Sequence, residues 1–407
     1  MKSYAEADLP EFSPFSGDTQ VVFREKLRAA RAAGSLANGA IGPLVIRHEA
    51  VTQLLHDKRL RGPGMDLARM SGIPEGSRTW RRQQNILLFM EGEDHHRLRR
   101  LVSKAFTPRA VEGLRPYTRS VIRKLLGAVF EAGRCDAVPA LCNPFPIPVI
   151  CALVGIEPDR IDDMSRWAGS ILLALRFDAG SFLAEIEQAQ AELDQYIDGL
   201  IEARRNTPRD DLLSRLIAVE EAGDRLSRVE LQAVVAMMLV AGTDTTRNQL
   251  GNMIHTFAEH PNEWAMVRAR PDLVHNAVEE AIRWEPATQA IPRFALEDVE
   301  VDGLLIPKGS FVGLMSLSAN HDESTLPGAD RFDITRESPN GWQLLTFGGG
   351  IHYCLGANLA RVELTEALAE LSSRFATLRL DGDPVPNPPG SVIMGYKSLP
   401  IAWTGAA

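Results

Sequence analysis

The sequence predicts a mainly α-helical protein with a small β-rich region and one long central helix. Three observations predict it. From His95 the apolar residues keep helical spacing for about 190 residues. Within that stretch lies a capped, apolar helix beginning after Ser227. After Pro286 the period changes to alternation around a tight turn.

Phe23 to Ala33 is rich in helix formers, and Pro43 to Ile46 reads as a short strand. Residues 61 to 90 hold Gly62, Pro63, Gly64, Gly72, Pro74 and Gly76, which predict a loop with one short helix. Val121 to Glu131 and Glu185 to Arg205 are helical by period. Ser227 and Glu230 form a Ser-x-x-Glu capping box in which each satisfies a free amide of the other's turn. The helix that follows, if unbroken to Ala258, spans about 46 Å at ~1.5 Å per residue. Its stretch Ala233 to Ala241 is apolar on most faces and is expected to cross the protein interior. A helix over Asp272 to Trp284 stops near Pro286. Val299 and Val301 alternate with acids, Asp302-Gly303 marks a hairpin turn, and Leu304 to Ile306 returns. Phe311 to Leu314 reads as a further strand, 320 to 350 as loop, and Leu355 to Phe375 as the last helix.

At ~150 residues per domain, 407 residues would allow two or three domains. No repeat or low-complexity linker divides the chain, so one domain over 1–407 is expected. The 44 basic and 53 acidic residues give a net charge of −9, which argues against nucleic-acid binding. Four cysteines (Cys135, Cys142, Cys151 and Cys354) are too few for a disulfide scaffold in a chain of this length. No apolar stretch follows a basic one in Met1 to Pro10, and no apolar run approaches the ~20 residues of a membrane span. A cytoplasmic protein without a membrane segment is expected.

The sharpest feature is Phe347 to Gly356, FGGGIHYCLG, in which a glycine-rich loop delivers one cysteine to the start of a helix. The free amides and positive dipole end of a helix favour an anion. The thiol pKa is therefore expected to be lowered, leaving a thiolate able to act as nucleophile or metal ligand. Tyr353 stands where a dinucleotide-binding loop needs glycine, and no second ligand pair supports zinc at His352-x-Cys354. In Ala241 to Thr246 a glycine, an acid and threonines interrupt the apolar helix, which suggests a functional break. Glu280 and Arg283 share a helix face and can pair. Cys135, Cys142 and Cys151 read as packing residues.

These features resemble the cytochrome P450 family of haem-thiolate monooxygenases. The family's cysteine-loop pattern F-G-x-G-x-H-x-C-x-G is matched at Phe347, Gly348, Gly350, His352, Cys354 and Gly356. Three further family patterns follow the family order, so the resemblance covers roughly residues 90 to 400. It implies the P450 fold, with the long helix over the haem, and haem b (iron protoporphyrin IX) as cofactor. It makes Cys354 the axial iron ligand, with Phe347 packed beside the sulfur and the following amides moderating its donation. Ala241 and Gly242 would open an oxygen-binding groove, where Thr245 holds the oxygen being activated and a water while Asp244 relays protons. His95, Arg99, Arg293 and His352 would bind the two haem propionates. The tandem His95-His96 leaves a shift by one open. Glu280 and Arg283 would lock structurally onto Arg331.

The same resemblance places the substrate pocket at 62–90, around Ala241, at Ala287 to Ile291 and at Val392 to Met394. Ile86, Leu87, Leu88, Val240, Ile291, Ile393 and Met394 make those places apolar, with Thr288 and Gln289 available to orient one polar group. An apolar small organic substrate, hydroxylated or epoxidised with O2, follows. No flavin or iron–sulfur segment is present, so electrons would come from a separate ferredoxin or flavodoxin and its reductase. Arg97, Arg100, Lys104, Arg109 and Arg115 form a basic run suited to an acidic partner. Peroxide-driven oxidation, oxidative coupling or rearrangement is the alternative reading. A haem-binding sensor without turnover is another, against which the Asp244-Thr245 relay stands.

Overall fold

In the computed structural model, residues 2–12, 20–103, 106, 108–221, 226–388 and 391–405 are described. The longest helix starts where the capping box predicts. Ser227 Oγ accepts the Glu230 amide at 3.2 Å, and Glu230 Oε2 accepts the Ser227 amide at 2.7 Å. The helix then runs Arg228–Glu259, 32 residues. Ser227→Ala is expected to cost about 1 kcal/mol, read as a lower midpoint in urea with an unchanged haem spectrum.

Two apolar cores meet this helix at its two ends. Leu231 to Val240 pack into a core built with the helices Pro146–Val154, Ile161–Leu172 and Leu183–Asn206. Leu250 to Phe257 pack into a second core with the helices Arg115–Val129, Val274–Trp284 and Ala357–Arg374. Residues 241 to 249 belong to neither core. The break expected there does not occur: the helix runs unbroken through these residues, with its polar side chains bonded back to its own carbonyls. Thr245 Oγ1 donates to the Ala241 carbonyl at 2.8 Å and Asn248 Nδ2 to the Asp244 carbonyl at 2.8 Å.

Among the described residues the largest sheet has six strands in the order Glu11–Phe12, Leu36–Gly39, Pro43–Val45, Phe311–Leu314, Ile291–Ala295, Leu60–Arg61, beside smaller two- and three-stranded sheets. Phe311–Leu314 pairs antiparallel with Ile291–Ala295, placing Val312 opposite Arg293 and Leu314 opposite Ile291. The Asp302-Gly303 turn forms as read, with φ of 49° and 75° and Val301 paired to Leu304. The 61–90 stretch holds two short helices, Gly64–Met70 and Arg78–Gln83, where one was expected. The second is capped by Ser77, whose Oγ accepts the Trp80 amide at 3.1 Å.

Glu280 and Arg283 form a buried, bidentate pair with N–O distances of 2.7 and 2.8 Å. The third partner is Arg336 and not Arg331. Arg336 Nε lies 3.2 Å from both Glu280 oxygens, while Arg331 is exposed and offers only its carbonyl, to Arg283 and Arg336. Asp333 turns the chain by donating its amide to Glu280 Oε1 at 2.9 Å, which brings position 336 onto the carboxylate.

Candidate active site

The cysteine loop is shaped by its glycines. Gly348 and Gly350 have φ of 71° and 63°, and a Cβ at Gly350 would meet the Leu55 carbonyl oxygen at 2.6 Å. Gly350–His352 makes one 3₁₀ turn, and the Cys354 amide donates to the Phe347 carbonyl at 2.9 Å. Gly356 then caps the helix Ala357–Arg374. The surface that Cys354 exposes is the wall of an internal cavity. Burial pushes its thiol above the ordinary value. The Gly356 and Ala357 amides and the Arg99 and Arg361 guanidinium groups pull the other way without offsetting it. The expected lowering is thus overturned by desolvation, and a cation on the sulfur is what would hold the thiolate here.

The cavity has a volume of about 350 Å³. Its helical wall is the face carrying Met237, Ala241 and Thr245 beside Met238, Gly242 and Thr246, each row at i, i+4 spacing. A Cβ at Gly242 would meet Ile150 Cδ1 at 2.9 Å, so glycine there lets Ile150 reach the wall. Leu87, Leu88, Thr288 and Ile291 line the cavity as expected. Ile86, Val240, Gln289, Ile393 and Met394 do not lie in its wall; Val240 faces the first core instead. Phe106, Ile150, Met237 and Met238 line it without having been singled out from the sequence.

Thr245 faces the cavity, but Asp244 does not. Its carboxylate is buried and ion-paired with Arg247, one turn along the same helix. Burial raises the Asp244 pKa, and Arg247 only partly counters it.

The cavity wall also carries His95, Arg99, Arg293 and His352. His95 is fully buried, both its ring nitrogens lack a partner among the described residues, and its pKa is pushed down to about 4 by burial, His352 and Arg99. His96 is exposed, so of the tandem pair it is His95 that faces inward. Arg293 is buried with one hydrogen bond, to the Pro292 carbonyl at 2.9 Å, and burial pushes it down to about 10. Arg99 donates to the Tyr353 carbonyl. His352 Nε2 meets Glu91 Oε1 at 2.9 Å, and the His95 and His352 rings lie 4.7 Å apart. Buried cationic groups and unpartnered imidazole nitrogens fit a ligand bearing carboxylates, as haem does. The chain's own residues therefore fit the expected cofactor.

A cytochrome P450 family model matches residues 163–403. Luteothin monooxygenase of Streptomyces thioluteus is 36% identical over 93% of this chain and 92% of its own length. The chain belongs to the cytochrome P450 family. Mycinamicin IV hydroxylase/epoxidase of Micromonospora griseorubida is 38% identical over 88% of this chain and 89% of its own length. Among solved structures, CalO2 superposes with a TM-score of 0.91 at 28% identity, covering 97% of this chain and 99% of that one. This P450 is a haem-thiolate monooxygenase that binds haem b and acts on a small organic substrate with O2 and a redox partner. Among the described residues no helix is long and apolar enough to cross a membrane.

Two acids of the P450 site escaped the sequence reading. Glu91 joins His352 to the Gly62 amide, which it accepts at 2.6 Å. Glu363 lies in the cavity wall, fully buried, with Thr246 Oγ1 at 3.5 Å, and burial pushes its carboxyl well up. Its signal was an acid set between Val362 and Leu364 on the helix that follows the cysteine loop. The basic run is broken up by carboxylates of neighbouring helices. Arg97 turns to Glu230, and Arg115 pairs with Glu112 and Glu366. Arg100 and Arg109 are exposed, and Lys104 lies outside the described residues.

Proposed function

We propose that Cys354 would hold the haem iron through its sulfur and that His95, Arg99, Arg293 and His352 would hold the haem propionates. When bound and reduced, haem supplies the insertion of one oxygen atom into a C–H bond or alkene. The chain's residues do the rest. Phe347 flanks the sulfur, and Gly348, Gly350 and Gly356 let the loop bring it to the cavity. Ala241 and Gly242 keep the helical wall small. Thr245 holds a water at its hydroxyl, and Asp244 reaches that water only by leaving Arg247. The apolar wall positions a hydrocarbon-like substrate by shape. The observation that carries this reading is one cavity whose wall brings together Cys354, Thr245, Arg99, Arg293 and His352, with the buried His95 ring packed against His352.

We further propose one domain over 1–407, a cytoplasmic location, and a separate ferredoxin or flavodoxin as the electron source. The test is Thr245→Ala. Product formation is expected to fall by roughly 10²-fold while O2 consumption continues and hydrogen peroxide accumulates. Unchanged coupling of oxygen to product would remove Thr245 from its role. The pairing of Asp244 with Arg247 favours a second reading, peroxide-driven oxidation, because an acid turned from the cavity is not needed when protons arrive with the oxidant. Substrate turnover sustained by hydrogen peroxide in place of O2 and reductant separates the two.

A further inference from the structure

Glu285, directly after the helix Val274–Trp284, is buried at a junction of three chain segments. Its carboxylate accepts Tyr396 Oη at 2.9 Å and Thr256 Oγ1 at 3.1 Å, and His255 Nδ1 lies 3.4 Å away. Its carbonyl accepts Gln249 Nε2 at 3.0 Å and Asn252 Nδ2 at 3.1 Å. The same two amides reach on to the cavity. Gln249 Oε1 accepts the Ala287 amide at 2.9 Å, the Met394 amide donates to the Ala287 carbonyl at 2.8 Å, and Asn252 Nδ2 reaches the Met394 carbonyl at 3.3 Å. Gln249, Ala287, Thr288 and Ile291 are wall residues. Glu285 therefore joins two sets of contacts: its carboxylate ties Tyr396, Thr256 and His255 together, and its carbonyl holds the two amides that reach Ala287 and Met394 on the substrate side of the cavity.

We propose that Glu285 and His255 are positioning residues that fix the wall segment 287–291, and that the protonated imidazole of His255 tightens the fixture. The inference rests on reading this cavity as the P450 substrate site. His255 faces Glu285, the Tyr396 ring at 4.8 Å, Glu259 on its own helix at 3.7 Å, and Arg24 from the helix Gln20–Ala33. Burial alone would lower its pKa, but Glu285 and then Glu259 outweigh burial and Arg24, and hold it above the ordinary histidine value. The charge is favoured in the folded protein. Its contribution is complete at acid pH and is lost as pH rises through the folded pKa. Glu285 then keeps Tyr396, Thr256 and Arg24 but loses its imidazolium.

The experiment is hydrogen exchange by mass spectrometry on the haem-loaded protein, following peptides over 285–294 and 391–397 across the neutral range and normalised for intrinsic exchange. Protection in the parent is expected to fall from the acid to the alkaline end of the range, as the imidazolium is lost. His255→Gln is expected to show low protection that does not change with pH. Tyr396→Phe is expected to lower protection while keeping the pH dependence, and it serves if His255→Gln does not fold. A parent profile flat with pH, or the same slope in parent and His255→Gln, overturns the proposal. Binding of 4-phenylimidazole, read by haem absorption, separates the two levels. Its affinity is expected to weaken in His255→Gln relative to the parent at acid pH and to converge at alkaline pH. Failure to bind in the parent while the exchange pattern holds counts against the cavity assignment and leaves the fixture standing.

Discussion

Cys354→Ser is expected to abolish oxygenation of substrate, and the reduced carbon monoxide complex is expected to lose its thiolate-type absorption band. Serine keeps the backbone bond from position 354 to the Phe347 carbonyl, so the loop survives and only the sulfur is removed. No other cysteine stands in the cavity wall. Cys135 and Cys151 are held at a pKa of about 12 by burial, and burial raises Cys142 as well. They are inert packing groups. Donation of electron density by an axial thiolate is what favours O–O cleavage, and an alcohol does not supply it. A Cys354→Ser protein with the parent's spectrum and turnover would end the assignment. Unfolding in urea should stay close to the parent's when both are compared without haem.

Arg283→Ala is expected to have the largest effect on stability. Arg283 gives two hydrogen bonds to Glu280 and one each to the carbonyls of Asn320, Ala329 and Arg331. Removing one partner of a buried pair costs about 3–5 kcal/mol, against a total of roughly 5–15 kcal/mol for a folded protein. The damage reaches the active site by a short route. Asn320 Oδ1 accepts the Leu345 amide at 3.0 Å, and Asn320 Nδ2 donates to Thr346 Oγ1 at 2.9 Å. Those residues immediately precede Phe347 and the cysteine loop. Low yield, poor haem retention and a lower urea midpoint are expected together. Arg283→Lys should not restore them, because a single ammonium cannot replace a planar fork that serves a carboxylate and three carbonyls. An unchanged midpoint in Arg283→Ala would refute this account of the buried cluster.

Local chemistry made much of the fold legible. The Ser227 cap, the Asp302-Gly303 turn and the glycine-shaped cysteine loop each depend on a few neighbouring residues, and each forms where the sequence places it. What depended on direction in space was harder to read. Adjacent residues on a helix point about 100° apart, so Asp244 and Thr245 do not share a face, and only Thr245 meets the cavity. Arg331 and Arg336 both follow the Glu280 helix, and only the path of the loop around Asp333 selects Arg336. The pKa of Cys354 turned on how much protein surrounds it, which the adjacent helix terminus does not reveal. The basic run looked uniform along the chain, but Arg97 and Arg115 are spent on carboxylates of other helices.

The placement of residues 241 to 249 outside both apolar cores bears on how such a protein can change its chemistry. The 32-residue helix is a beam with each end set in its own foundation and its middle span exposed to the chamber. Exchanges at Ala241 remodel the chamber while the side chains that secure the beam stay in place. New substrates can therefore be explored one residue at a time at little risk to the architecture.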